Sequence, residues 1–200
     1  NRHTEGYGLS YEAIDKLSMM GVKLIITVDN GISAVEEAKY INELEMELIV
    51  TDHHLPSDTL PQAVAVVDPH REDCNLEFKD YAGVGVAYKL ICALEGEENG
   101  VTDSFVDLVT IGTVADVMPL VGENRVIVSL GLKQLENTKN KGLAALAAQS
   151  FSERTKAKRK NLTASSIGFG LAPRINAAGR IGDVNRAVRL MITDNSAEAE

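Results

Sequence analysis

Twice near its start, this chain drives a short run of aliphatic and β-branched residues straight into an acidic turn. Leu24-Ile25-Ile26-Thr27-Val28 leads into Asp29-Asn30-Gly31, and Leu48-Ile49-Val50-Thr51 leads into Asp52-His53-His54. Runs of this length and composition, bounded by turn residues, predict strands buried on both faces. A further run, Ala63-Val64-Ala65-Val66-Val67, predicts a third strand. The intervening segments have helical spacing. Ser10 to Met20 predicts a helix with Ser10 as N-cap and Gly21 as stop, and Ser33 to about Leu44 predicts another, with Ser33 and Glu36 forming a capping box. Strands alternating with helices give an α/β fold in which a parallel sheet is flanked by helices.

In such a sheet, ligands bind outside the carboxyl ends of the strands. Two successive strands therefore bring Asp29 and the Asp52-His53-His54 triplet to one edge. A third acid, Asp116, closes the apolar run Val109-Thr110-Ile111-Gly112-Thr113-Val114-Ala115 and can join them. Taken singly, each has a structural alternative: a turn for Asp29-Asn30-Gly31, a solvated loop for Asp52-His53-His54, a helix-terminal acid for Asp116. The site vanishes only if all three alternatives hold together. Carboxylates with imidazoles and no thiolate suit Mn²⁺ or Mg²⁺ rather than structural Zn²⁺. Two such ions can activate a water and stabilise the leaving oxygen of a phosphodiester.

Charge is distributed in two blocks. Residues 1–124 carry 7 Lys+Arg against 23 Asp+Glu, a net of −16; residues 125–200 carry 13 against 6, a net of +7. An acidic block suits cations and a basic one suits phosphates, although both also keep surfaces soluble. From Asp80 onward the pattern is helical: Gly83 to Leu94, Thr102 to about Val114, Arg125 to Leu135, Gly142 to Ala148, Thr163 to Phe169 and Val184 to Met191. Residues 152–160 predict an exposed basic loop. Ala172 to Arg180, broken by Pro173 and Gly179, predicts an irregular segment able to fold back over the acidic cleft, and Asp194 or Ser196 predicts the cap of a last helix. Cys74 and Cys92 have neither metal-ligand nor disulfide-framework spacing, and no apolar run is long enough to span a membrane, so a cytoplasmic location is expected.

The motifs carry a resemblance. Val50-Thr51-Asp52-His53-His54 resembles the signature of the DHH phosphoesterase superfamily, and Val28-Asp29-Asn30-Gly31 its preceding acidic motif. Gly112 to Leu120 resembles the later motif in the form used by its RecJ-type exonucleases. Three further segments are similar to that branch: Asn1 to Leu9, Tyr81 to Ala87, and Pro173 to Arg180. The resemblance implies a metal-dependent exonuclease that degrades single-stranded DNA from the 5′ end in repair and recombination. It makes Asp29 a bridging carboxylate between two metals and His53 and Asp116 ligands. His54 would lie beside the scissile phosphate, and Asp52 would act as a ligand or as an orienter of the histidines. Gly83 and Gly85 would allow close backbone approach at a helix start, with tight packing as the alternative. Arg2, Arg174 and Arg180 would grip phosphate, with structural ion pairs as the alternative for the last two.

Two departures accompany it. The family's first acidic motif, an Asp-x-Asp, would lie upstream of Asn1, so residues 1–200 alone are expected to be inactive and to bind metal weakly. Val67-Asp68-Pro69-His70 carries Asp where this branch has Asn, read as a loop variation, with His70 and His3 as surface histidines. The expected organisation is a phosphoesterase core over 1–124 without its first strand, a basic helical subregion of the same domain over 125–194, and the start of an interdomain helix over 195–200. Single-stranded DNA is the expected partner, with a single-strand-binding protein and a helicase as further candidates. Other readings are a phosphoesterase of short RNAs or small phosphates, and a nucleic-acid-binding relative without catalysis. The helical stretch 125–194 argues against the first, and intact Asp29, His53, His54 and Asp116 against the second.

Overall fold

The computed structural model describes residues 8–96, 100, 102–150, 162–181 and 184–200. The chain divides into two compact units, residues 1–97 and 98–200. The change in charge at residue 124 therefore falls inside the second unit. Among the described residues, no helix is long and apolar enough to cross a membrane.

The first unit runs α1 (Tyr11–Met19), β1 (Leu24–Val28), α2 (Val35–Glu43), β2 (Glu47–Thr51), β3 (Ala65–Val67) and α3 (Gly83–Glu95). Its strands form a parallel three-stranded sheet in the order β1-β2-β3. The expected α/β architecture is thus the observed one. Ser10 caps α1 by accepting a hydrogen bond from the Ala13 N–H, and Gly21 follows the helix at φ 78°. The capping box expected at Ser33 does not form. α2 starts at Val35, its N-cap is Ala34, and the entering chain is instead turned by backbone bonds from Ala34 N–H to Gly31 O and from Val35 N–H to Ser33 O.

Ile14 from α1, Ala38 and Ile41 from α2, and Ile25, Leu48 and Val50 from the strands close into one core with Met46. Each large side chain removed from water there contributes roughly 1.5–3 kcal/mol. β1 buries only this face. Leu24, Ile26 and Val28, on its other face, stay substantially exposed.

The second unit is helical. A 3₁₀ turn (Thr102–Phe105) leads into α4 (Val106–Ala115), followed by α5 (Gly122–Leu135) and α6 (Lys141–Ser150). After residue 161 come α7 (Ala164–Ser166), a π-helical turn (Ile167–Leu171), α8 (Ala172–Ile181), α9 (Val184–Ile192) and α10 (Ser196–Ala199). Its core joins Ile111, Leu135, Leu143, Ala147, Ile167 and Leu171. Thr163 provides the capping box of α7, and Asn195, rather than Asp194 or Ser196, caps α10 by accepting from the Ala197 N–H. The segment expected to be irregular is α8. The π-helical turn runs into it without a break, and Pro173 stands just after the change from π to α, where the hydrogen-bond pattern already shifts. The basic loop expected over 152–160 lies outside the described residues.

Candidate metal centre

The parallel register sets the site. Val28 pairs with Thr51, and Thr51 pairs with Val67, so the residues that follow each strand, Asp29, Asp52 and Asp68, stand in a row at the carboxyl edge. Backbone bonds carry the ladder one residue further: the Asp29 N–H donates to Thr51 O at 3.0 Å, and the Asp52 N–H to Val67 O at 3.1 Å.

Asp29 then leaves the strand direction in the left-handed region, at φ 64°. Asp is one of the few side-chain-bearing residues that adopt it readily. Gly31 completes the turn at φ 109°, where an added Cβ would stand 2.8 Å from Thr27 Oγ1. The Asp29 carboxylate ends up 57% exposed, with Oδ1 3.0 Å from His53 Nε2. It lies against the first residue of α3, where a Cβ on Gly83 would come within 2.3 Å of Asp29 Oδ1. Only glycine leaves room there, and the positive end of a helix favours an anion beside it. Gly85 has a different surrounding: its would-be Cβ meets the Tyr81 side chain at 3.3 Å. Close approach therefore describes Gly83, and packing describes Gly85.

Asp52 is buried, its side chain 2% exposed. Oδ2 accepts from the Ile32 N–H at 3.0 Å, while Oδ1 accepts from the His53 N–H at 2.8 Å and the His54 N–H at 3.3 Å and lies 2.6 Å from His54 Nδ1. Burial alone would raise the pKa of this carboxyl. The bonds from the Ile32 N–H, the His54 ring and the His53 and His54 amides outweigh it and hold the group below the usual aspartate range. With Nδ1 donating to that carboxylate, a neutral His54 carries its lone pair on Nε2. The His53 and His54 rings stand 4.4 Å apart, with His53 buried and His54 exposed.

One ligand atom from each of Asp29, Asp52, His53 and His54 falls within 4.8 Å of the others. Carboxylate oxygens and imidazole nitrogens without thiolate fit a hard divalent cation. Of the other residues singled out in the sequence, Asp116 is exposed and ends α4 in the second unit, followed by Val117 at φ 59°. Arg174 lies on α8, where its Nη1 donates to Gly170 O. Arg180 belongs to the same helix. Arg2 and His3 fall outside the described residues.

The third acid of the row, Asp68, was not singled out as a site residue. Its side chain is fully buried; Oδ1 accepts from the His70 N–H at 2.7 Å, and Oδ2 has no hydrogen-bond partner among the described residues. Burial, and secondarily the charge of Asp52, raise its pKa against the His70 amide bond. His70, expected at the surface, is half-buried, with Nδ1 3.8 Å from Asp68 Oδ1. The signal was present in the sequence, since Val66-Val67-Asp68 repeats the strand-into-acid pattern of the other two.

A model of the DHH family, N-terminal domain, matches residues 2–113. Over 200 residues the chain is 45% identical to the single-stranded-DNA-specific exonuclease RecJ of Bacillus subtilis (strain 168), with 100% of this chain and 24% of that protein covered. It is 42% identical over 212 aligned positions to the exonuclease of the same name from Escherichia coli (strain K12), covering 100% of this chain and 36% of that one. A crystal structure of exonuclease RecJ bound to manganese superposes with a TM-score of 0.83 at 36% identity, covering 99% of this chain and 49% of the other. The chain thus spans well under half the length of these curated relatives.

Proposed function

Since this chain belongs to the DHH family, we propose that it forms part of a metal-dependent exonuclease that hydrolyses phosphodiesters of single-stranded DNA from the 5′ end, in repair and recombination. The observation that carries the proposal is the convergence of Asp29, Asp52, His53 and His54 within 4.8 Å at one sheet edge. The single-stranded-DNA specificity of the relatives supplies the substrate.

In this reading Asp29, His53 and Asp116 would be the residues that hold Mn²⁺ or Mg²⁺, Asp29 as the carboxylate common to two ions. Such a cation supplies Lewis-acid neutralisation of the charge that builds on a phosphodiester during hydrolysis. Asp52 is the orienter rather than a ligand, because its oxygens already accept from three N–H groups and face the His54 ring. It thereby fixes the ring of His54 and aims Nε2 outward, where in the protonated imidazolium it can donate a hydrogen bond to a non-bridging oxygen of the scissile phosphate. Gly83 keeps the space that the Asp29 carboxylate occupies. Arg2, Arg174 and Arg180 bind strand phosphates, where planar guanidinium matches phosphate bidentately. The acidic core over 1–124 carries the chemistry, and the basic stretch over 125–194 guides the strand. A single-strand-binding protein and a helicase are proposed partners, and the cytoplasm is the proposed location.

The test is a nuclease assay on the full protein, using single strands labelled at the 5′ or 3′ terminus and matched duplexes, with Mn²⁺, Mg²⁺ or chelator. Metal-dependent release of label from the 5′ end of single strands is expected. Equal cutting of duplex, or turnover indifferent to the chelator, would refute the assignment.

A further inference from the structure

Within the second unit, the turn that carries Asp116 opens onto a groove of about 730 Å³ whose lining includes Val117, Met118, Phe169, Pro173 and Asn176. Phe169 is 87% exposed and Val117 is 86% exposed. The exposure of Phe169 is imposed by its neighbours in the chain. Ile167 and Leu171, the two ends of the π-helical turn, are both fully buried in the core, and Phe169 lies between them, flanked by Gly168 and Gly170. Anchoring both ends of a five-residue π turn throws its middle residue outward, and such turns occur often at functional sites. An isolated surface aromatic would need no explanation. This one shares its groove with a β-branched residue held in the left-handed region, Val117 at φ 59°, immediately after a proposed metal ligand.

We infer that Phe169 is a stacking platform for an unpaired nucleobase of a single strand. The inference rests on the proposed function, and it adds a residue that reads the base rather than the backbone. Three features favour this occupant. The groove offers an aromatic face together with apolar walls and the polar edges of Asn176 and Ser165, which suits a flat heterocycle with hydrogen-bonding rims. Residues 125–200, which contain the platform, carry a net charge of +7 and so draw a polyanion. Only an unpaired base exposes a face for stacking, in keeping with relatives named for single-stranded DNA. The aromatic content of 4% does not conflict with this, since one well-placed ring serves one base at a time.

The experiment measures strand binding by the full protein in chelator, where no cutting occurs, with 2-aminopurine placed at successive positions from the 5′ end. Wild type should quench the fluorophore at one defined position. Phe169→Ala and Phe169→Leu should remove the quench and weaken binding roughly tenfold, whereas Phe169→Tyr should keep both. A strand made abasic at that position should bind wild type and Phe169→Ala equally, and melting temperatures should match throughout. Leucine performing as well as phenylalanine would overturn stacking in favour of plain apolar contact. Loss of affinity for ordinary and abasic strands alike would overturn it in favour of a structural role. Strand cutting by wild type with no dependence on Phe169 would sink the platform and leave the nuclease. Phe169-dependent binding without metal-dependent cutting would do the reverse, and a wild type that binds no strand would refute both.

Discussion

Asp29 and Asp52 are introduced by the same kind of sequence and end in opposite situations. Each follows an aliphatic and β-branched strand, each continues the parallel ladder through its own N–H, and the two stand side by side at the sheet edge. Yet Asp29 is 57% exposed and turned outward at positive φ, while Asp52 is 2% exposed and enclosed by amide donors. The difference lies in where each following segment runs. After Asp29 the chain turns away through Gly31, and Ile32 donates its N–H back to Asp52. After Asp52 the chain curls so that the amides of the next two residues point at the carboxylate they have just left. One aspartate thus keeps its carboxylate exposed beside His53, while its neighbour accepts from three amides and faces the His54 ring. Asp68, third in the row, is buried like Asp52 without an equivalent set of donors.

The contrast can be broken by mutation, and the largest effect belongs to the open member. Asp29→Ala should lower turnover of single-stranded DNA at least about a thousandfold while costing only about 1 kcal/mol of stability, because the exposed carboxylate supports little folding energy and the loss comes from alanine at φ 64°. Single-turnover kinetics beside a thermal melt will show it; a variant that unfolds instead would place Asp29 with the scaffold.

Gly83→Ala examines the same carboxylate from the other side. A Cβ 2.3 Å from Asp29 Oδ1 must displace it, and a misplacement of about 1 Å in such a site costs about a hundredfold in rate. Manganese affinity by calorimetry should fall together with turnover. Gly85→Ala, whose new Cβ meets only the Tyr81 ring, is the control and should move activity little.

Asp52→Asn should act on both fold and function. Asparagine keeps one accepting oxygen, and its NH2 would face either the Ile32 N–H or the His53 and His54 donors without accepting from them, so stability should drop by roughly 1–3 kcal/mol. Loss of a group that only orients a histidine should lower activity about ten- to a hundredfold, less than loss of Asp29. An Asp52→Asn variant as inactive as Asp29→Ala but equally stable would make Asp52 a ligand after all.

The smallest effect is expected at Asp68. Burial raises the pKa of this group, so the fold favours its neutral form. That stability is complete below the ordinary aspartate pKa of about 4 and is lost as pH rises through the elevated value in the folded state. Asp68→Asn should therefore raise the melting temperature of the chelated protein at neutral pH and flatten its dependence on pH above about 4. Unaltered pH dependence would show that Asp68 finds a compensating partner in solution.

The three strands, their parallel arrangement and the edge at which Asp29, Asp52, His53 and His54 gather were all legible in the sequence. Aliphatic and β-branched runs separated by helical spacing leave few ways to bury apolar surface, and strand ends are where such sheets place polar residues. Local chemistry also marked Ser10 as the cap of α1 and Gly31 as part of a turn. Sequence could not distinguish among the three acids, because whether a carboxylate is a ligand, an orienter or a buried acid depends on which amides reach it, and the Ile32 N–H reaches Asp52 from twenty residues away. It misjudged α8 because the preceding π-helical turn, anchored by buried Ile167 and Leu171, carries the helix through Pro173 without a break. Ser33 lost its capping role because backbone bonds to Gly31 and Ser33 had already turned the chain into α2. Periodicity and turn chemistry are properties of neighbouring residues and are written along the chain. Exposure, donor count and the space at Gly83 arise between residues distant in sequence, and only the folded chain decides them.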